Sequence, residues 1–291
     1  MSHRLLYRFP ILLFLLGNTL WAQHKNEIVA TLNGATKQIR IRQHFTYVNH
    51  SDKGQSTLFF NDWNHAYSNK NTALAKRFAE EFNRGLHLAK DRERGFTTII
   101  TIVDDKYAGL EWNRLGNRDI IFVQLNEILK PGESIDLFFT YTIKLPMEKF
   151  TSYGHLPNGG YNLKDWYFTP AVFDEGEWKL YDNISLDDLY TDITETRINF
   201  TFPERLFLTT NYRQSNIARF PGAQQVILFG EQRKNCEILL SVEDKFSKHI
   251  TANLTVTTDI ESNKYDEISQ GISINKITEF LNENLGKYPH E

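Results

Sequence analysis

A chain of 291 residues, 41% hydrophobic and 24% charged, carries enough apolar surface for one large or two modest globular domains. Its net charge of −3 provides no basic field to attract a nucleic-acid backbone, so nucleic-acid binding is not expected. The single cysteine, Cys236, excludes an intramolecular disulfide and a cysteine-based zinc site; within the strand-like run 236–240 it reads as a small buried side chain.

At the N-terminus, His3, Arg4 and Arg8 precede the compact apolar run 11–16, and small or polar residues lead to Trp21-Ala22-Gln23. The run is far shorter than the roughly 20 residues that span a bilayer. It reads as a signal peptide over 1–22, cleaved near Ala22, which predicts an exported protein, periplasmic or extracellular, with no stable membrane span.

From Lys37 to Val48 the pattern alternates. Ile39, Ile41, Gln43, Phe45 and Tyr47 point one way and Arg40, Arg42, His44 and Thr46 the other, as in a half-buried strand. Polar turn chemistry at Asn49 to Gly54 and a short strand at Ser56 to Phe60 predict a hairpin. Asn71 to Leu88 switches to helical spacing, with Asn71 or Thr72 as the cap. Strands are expected at Phe96–Val103, Asp119–Val123 and Ser134–Leu145, and ordered Gly/Pro/aromatic loops over 151–182. Further strands are expected at Thr196–Phe202, Leu206–Thr210, Gln225–Phe229, Cys236–Val242 and Thr251–Thr257. Tyr265 to Leu285 turns helical, with an apolar stripe of Ile274, Ile277, Leu281 and Leu285 that needs a partner. With the chain stopping soon after, at 287–291, that helix is expected to open a second, truncated domain. The predicted fold class is mainly β: saddle-like antiparallel sheets or a β-sandwich, one inserted helix and a C-terminal helical segment. The predicted domains are 1–22 (signal), 23–260 (β-domain) and 261–291 (helical start of a further domain).

Four stretches carry a family resemblance: 64–73, 161–174, 189–203 and 280–289. In order and spacing they resemble the N-terminal domain of M1-type (gluzincin, aminopeptidase-type) zinc metallopeptidases in the form common in Bacteroidetes. The second, YNLKDWYFTPAVFD, is similar to that family's Q-x-x-x-W-Y-P-x-P-A-V-Y-D. The resemblance implies a saddle of antiparallel sheets packed on a thermolysin-like catalytic domain, in which two histidines of H-E-x-x-H and a downstream glutamate hold zinc. It implies peptide as the substrate of the complete enzyme. It also implies that position 162, occupied by Gln in many such enzymes, binds the substrate's α-amine; here it is Asn162, one methylene shorter.

The catalytic motif itself is not in this sequence. His290-Glu291 is the sole His-Glu pair, and no two of the nine histidines stand four apart. No catalytic residue and no metal or other cofactor is therefore expected within this chain, zinc being expected only with the catalytic domain. Convergence of His44, His50, His65 and His87 on a metal is disfavoured. The acidic pairs Asp104-Asp105, Asp174-Glu175 and Asp187-Asp188 read as solvated turns, and the sequons at Asn49, Asn183, Asn199 and Asn253 as incidental. Phe59, Phe60 and Trp63 read as packing rather than a binding face. The competing reading is a free-standing, secreted β-sandwich binding module descended from such a peptidase.

Overall fold

A computed structural model describes residues 23–184, 189–251, 254–260 and 266–288. The expected signal segment, the Asp187-Asp188 pair, the Asn253 sequon and His290-Glu291 lie outside the described residues. The elements follow in chain order: β1 (His24–Asn33), β2 (Gln38–Val48), β3 (Gln55–Asn61), a 3₁₀ turn (Trp63–Tyr67), α1 (Ala73–Glu80), α2 (Gly85–Leu88), β4 (Phe96–Asp104), β5 (Trp112–Arg114), β6 (Ile120–Leu129) and β7 (Ser134–Lys144). Short strands come next: β8 (Gly154–His155), β9 (Tyr161–Leu163), β10 (Thr169–Pro170), β11 (Val172–Asp174) and β12 (Glu177–Lys179). The chain continues through β13 (Thr194–Pro203), β14 (Phe207–Thr210), β15 (Arg213–Gln214), β16 (Ala218–Phe220), β17 (Ala223–Arg233), β18 (Ile238–Ser241), β19 (Ser247–Ile250), β20 (Thr255–Thr258) and α3 (Glu267–Leu285).

The principal sheet runs β15-β17-β13-β1-β2-β7-β4, with β16 also paired to β17. Its pairings are antiparallel except β1 against β13. The strict alternation of burial along β1, β2 and β13 shows that one face covers the core and the other faces water. A second sheet, β10-β3-β6-β5, stacks on the inner face, where the Phe60 ring stands edge-on to Phe45 at 5.7 Å and to Phe139 at 4.9 Å. A third, β14-β18-β9-β8, closes one end through Tyr161, Leu163, Ile238 and Leu240, all within the same continuous core. The fold is mainly β, as the sequence pattern required.

Three local expectations are corrected. β2 and β3 form no hairpin: β2 lies between β1 and β7, whereas β3 pairs with β6 and β10. The turn between them is instead a crossover between sheets, pinned by the Asn49 side chain, which donates to the carbonyls of Lys53 (2.8 Å) and Leu129 (2.9 Å). The helix over 71–88 is broken into α1 and α2. Thr72 caps α1 by accepting from Ala75 N at 3.3 Å, but Phe82 turns to a φ of 62° and lies 94% exposed, so it does not join the apolar stripe. β1, which the sequence reading left unassigned, is a central strand of the main sheet.

The segment 151–182 is ordered, and the reason is a buried amide. Gln43 donates to Asn26 Oδ1 (2.9 Å) and to the Phe168 carbonyl (2.7 Å) and accepts from Tyr141 Oη (2.7 Å). Tyr141 in turn accepts from Phe168 N (3.1 Å) and stacks on the Phe168 ring at 4.0 Å. The polar residue on the core face of β2 is thus the anchor of the aromatic loop, fully satisfied as burial demands.

Candidate functional site

The residue implied by the family resemblance, Asn162, is not in a loop. It is the middle residue of β9, half-buried, directly opposite Leu239 of β18 on one side and Gly154 of β8 on the other. Leu239 is opposite Thr209 of β14, so Thr209, Leu239, Asn162 and Gly154 make one row across the third sheet. Gly154 holds a φ of 120°, and a Cβ there would run into the Pro146 carbonyl, so no side chain crowds Asn162 from that side. The Asn162 amide has no hydrogen-bond partner among the described residues. Beside it Leu239 and, next along β14, Phe207 are 39% and 41% exposed. The outer face of this small sheet therefore offers a free amide with one apolar neighbour, Leu239, and with Phe207 two strands away.

Next to the second sheet lies a buried polar network assembled from distant segments. Asp62, 2% exposed, accepts from Arg114 Nη2 at 2.7 Å and from Thr97 Oγ1 at 2.6 Å. Asp119 accepts from Asn183 N at 2.8 Å, and burial first, then the adjoining Asp182 carboxylate, pushes its carboxyl well above the usual carboxylate range. Arg118 spans both oxygens of Asp182 at 3.0 Å and donates to the Leu180 carbonyl at 2.8 Å. His65, on the 3₁₀ turn, is held down to about 4 by burial and by the Arg114 cation. Asp165, at a φ of 51°, is raised to about 6 by burial, with Lys164 opposing. It lines a cavity of about 30 Å³ with Trp63, Tyr67 and Asn183, roughly one water in size. No motif advertises this network, because its members are isolated residues on different strands and turns.

The other sequence candidates resolve as follows. His44 is on the outer face of the main sheet, bonded to Asp136 Oδ1 at 3.0 Å, whereas His65 is on the 3₁₀ turn and His87 in α2. The histidine that meets His50 is His24, their rings 5.2 Å apart. Among the described residues no group of three His, Cys, Asp or Glu is placed to hold a metal. Cys236 is fully buried and its thiol is pushed up by burial, the opposite of a nucleophile. Asp104 is more than a solvated turn. Buried at 6% exposure, it accepts from the backbone of Lys106 and Ala108 and from Asn126, and these bonds lower its pKa against the cost of its burial. Asn49 (0% exposed) and Asn183 (5%) are closed to glycosylation. Phe60 and Trp63 are core, and Phe59 packs on Trp178 at 5.3 Å. Among the described residues no helix is long and apolar enough to cross a membrane.

No protein-family model and no curated protein sequence matches this chain. Solved structures do. The M1 zinc metallopeptidase from Deinococcus radiodurans superposes with a TM-score of 0.52 at 11% identity over 92% of this chain and 53% of that one. A point mutant of that enzyme gives a TM-score of 0.53 at 10% identity over 92% and 54%, and the same mutant bound to a Tyr-Ser-Ala substrate gives the same figures. At this identity the likeness establishes the fold. The chain spans about half the length of the structures it matches.

Proposed function

We propose that this chain is the N-terminal, non-catalytic β-region of an exported M1-type zinc metallopeptidase, of the kind common in Bacteroidetes, and that it works beside a thermolysin-like catalytic domain supplied outside these residues. The observation that carries the reading is the fold likeness over 92% of the chain to about half of an M1 enzyme. The ordered family-like stretches at 161–174 and 280–289 support it independently. In this reading 23–260 is the β-domain and α3 belongs with the catalytic domain. Zinc and the general base reside in that domain, and this chain by itself is inactive. Its outer third-sheet face, with Asn162, Leu239 and Phe207, borders the substrate cleft, where the amide of Asn162 accepts from the α-amine of a peptide.

The exposure of α3 fits the same picture. Ile277, Phe280 and Leu285 are 59%, 63% and 81% exposed, while the buried residue of the helix is polar, Thr278. A helix that shows its apolar stripe to water is one whose partner is elsewhere. The test is affinity isolation of the native protein from its source envelope fraction with mass spectrometry of everything recovered. The expected result is an H-E-x-x-H sequence, either on the same polypeptide or on a co-purifying one. Recovery of a chain ending at Glu291 with neither would overturn the reading in favour of a free-standing binding module.

A further inference from the structure

The water-facing side of the principal sheet carries a groove of about 460 Å³, lined by none of the residues of the Asn162 face or of the buried polar network. Its construction follows from register. Ile227, Asn199, Val29 and Arg42 are directly opposed across β17, β13, β1 and β2. The adjacent row is Arg197, Glu27, His44 and Phe138, across β13, β1, β2 and β7. With neighbouring strands about 4.8 Å apart, the short Val29 lies between two long side chains, Arg42 one strand away and Arg197 diagonally across. A small residue between large ones leaves a notch, and Val29 is 40% exposed at its floor.

The charges in the notch are not compensated from within. Neither Arg42 nor Arg197 has an ion-pair or hydrogen-bond partner among the described residues; Arg197 rests over the Phe229 ring at 5.5 Å. The carboxylate nearest in register, Glu27, has an oxygen 3.7 Å from His44 Nδ1, and His44 is bonded on its other side to Asp136. Asn199 Oδ1 is closed off from solvent and has no hydrogen-bond partner. That oxygen is an acceptor and takes no bond from an anion; the two guanidiniums, free to fork onto an oxyanion, supply the polar contacts. Val29 and Ile227 supply an apolar floor, and the volume falls in the range of small-molecule sites.

We propose that this groove binds a small organic anion: a carboxylate or phosphate group held between Arg42 and Arg197, with an apolar body lying on Val29 and Ile227. Neither the peptidase-domain reading nor the comparisons assign this surface, and it stands whether or not that reading does.

The experiment uses the mature chain and three probes of the same shape: 3-phenylpropionate, phenyl phosphate and the neutral 3-phenylpropionamide. Binding is followed by side-chain ¹⁵Nε–H shifts of arginine and by calorimetry at low and high salt. The expected result is binding of one or both anions, with shifts at Arg42 and Arg197, weakened several-fold between about 20 mM and 500 mM NaCl. Relative strength of the two anions separates a carboxylate from a phosphate ligand. Arg42→Gln and Arg197→Gln should each weaken binding roughly tenfold, Arg42→Gln without changing the melting temperature and Arg197→Gln with at most a small drop, since it gives up only its contact with the Phe229 ring. Glu27→Gln should tighten it, by removing the one like charge in the notch. Equal binding of the amide, indifference to both arginine substitutions, or no shift at either arginine up to the solubility limit would each overturn the proposal.

Discussion

Replacing His65 by Gln should flatten the acid limb of the stability profile by about 3 kcal/mol. The imidazole lies on the 3₁₀ turn between the second sheet and β4, beside the buried Asp62–Arg114 pair, with Nδ1 shut off from solvent and unpartnered. Protonation there requires a second buried cation next to Arg114, so the folded pKa falls from 6.5 to about 4. The unfolded chain takes up the proton near pH 6.5 and the folded one does not. Stability from the neutral ring is therefore complete above pH 6.5 and is lost as pH falls towards 4. At about 1.36 kcal/mol per pH unit, that window corresponds to about 3 kcal/mol. The raw pH profile will not display it, because Asp165, raised to about 6, runs the other way: its folded form binds a proton that the unfolded form releases above 3.8. The difference between wild type and His65→Gln isolates the histidine. Urea unfolding of both proteins at half-unit steps from pH 7.5 to 4 measures it, with a ¹³C-edited titration of the His65 ring. A ring titrating near 6.5, or a stability difference that does not change with pH, would refute the reasoning.

Asp165→Asn should stabilise the protein at pH 7 and above relative to its effect at pH 4, by about 3 kcal/mol across that window, because it removes a carboxylate whose ionisation burial opposes; denaturant midpoints at the two pH values check it. Gly230→Ala should cost about 1–3 kcal/mol or more, since a Cβ there would press into the face of the buried Tyr212 ring, its Cε1 only 2.7 Å away; Gly230→Ala combined with Tyr212→Leu should recover part of the loss in the same melts. Asp62→Ala should cost about 3–5 kcal/mol by stranding Arg114 in the interior, and Asp62→Leu with Arg114→Met should be far milder, as measured by thermal unfolding of the double-mutant cycle. Amide exchange at 274–285 should be much faster than at 39–47, because the stripe on α3 has no cover while β2 is central in its sheet; equal protection in a monomer would show that α3 already has its partner.

What the sequence by itself determined is what local periodicity encodes. The two-residue alternation of β2, β7 and β13 and the helical spacing before Leu285 are legible because each strand or helix must aim its apolar side chains at one face. The order of family-like stretches around Trp166 and Phe280 was legible too, and it pointed to the fold that the superposition then established. Pairing was not, because register is a property of two segments and neither contains the other. β2 and β3 look like a hairpin until Asn49 is seen bonding the carbonyls of Lys53 and Leu129 and sending the chain to another sheet. β1 opens with four polar residues, His24 to Glu27, and carries Val29 on its exposed face, so its pattern is no signal of a central strand; only its position between β2 and β13 makes it one. Gln43 looked like a polar residue on a core face; its role as the anchor of Phe168 required Tyr141 and Asn26 to arrive from other strands. The same holds for the groove. Arg42 and Arg197 lie 155 residues apart, and it is the parallel pairing of β1 with β13 that sets them on either side of Val29.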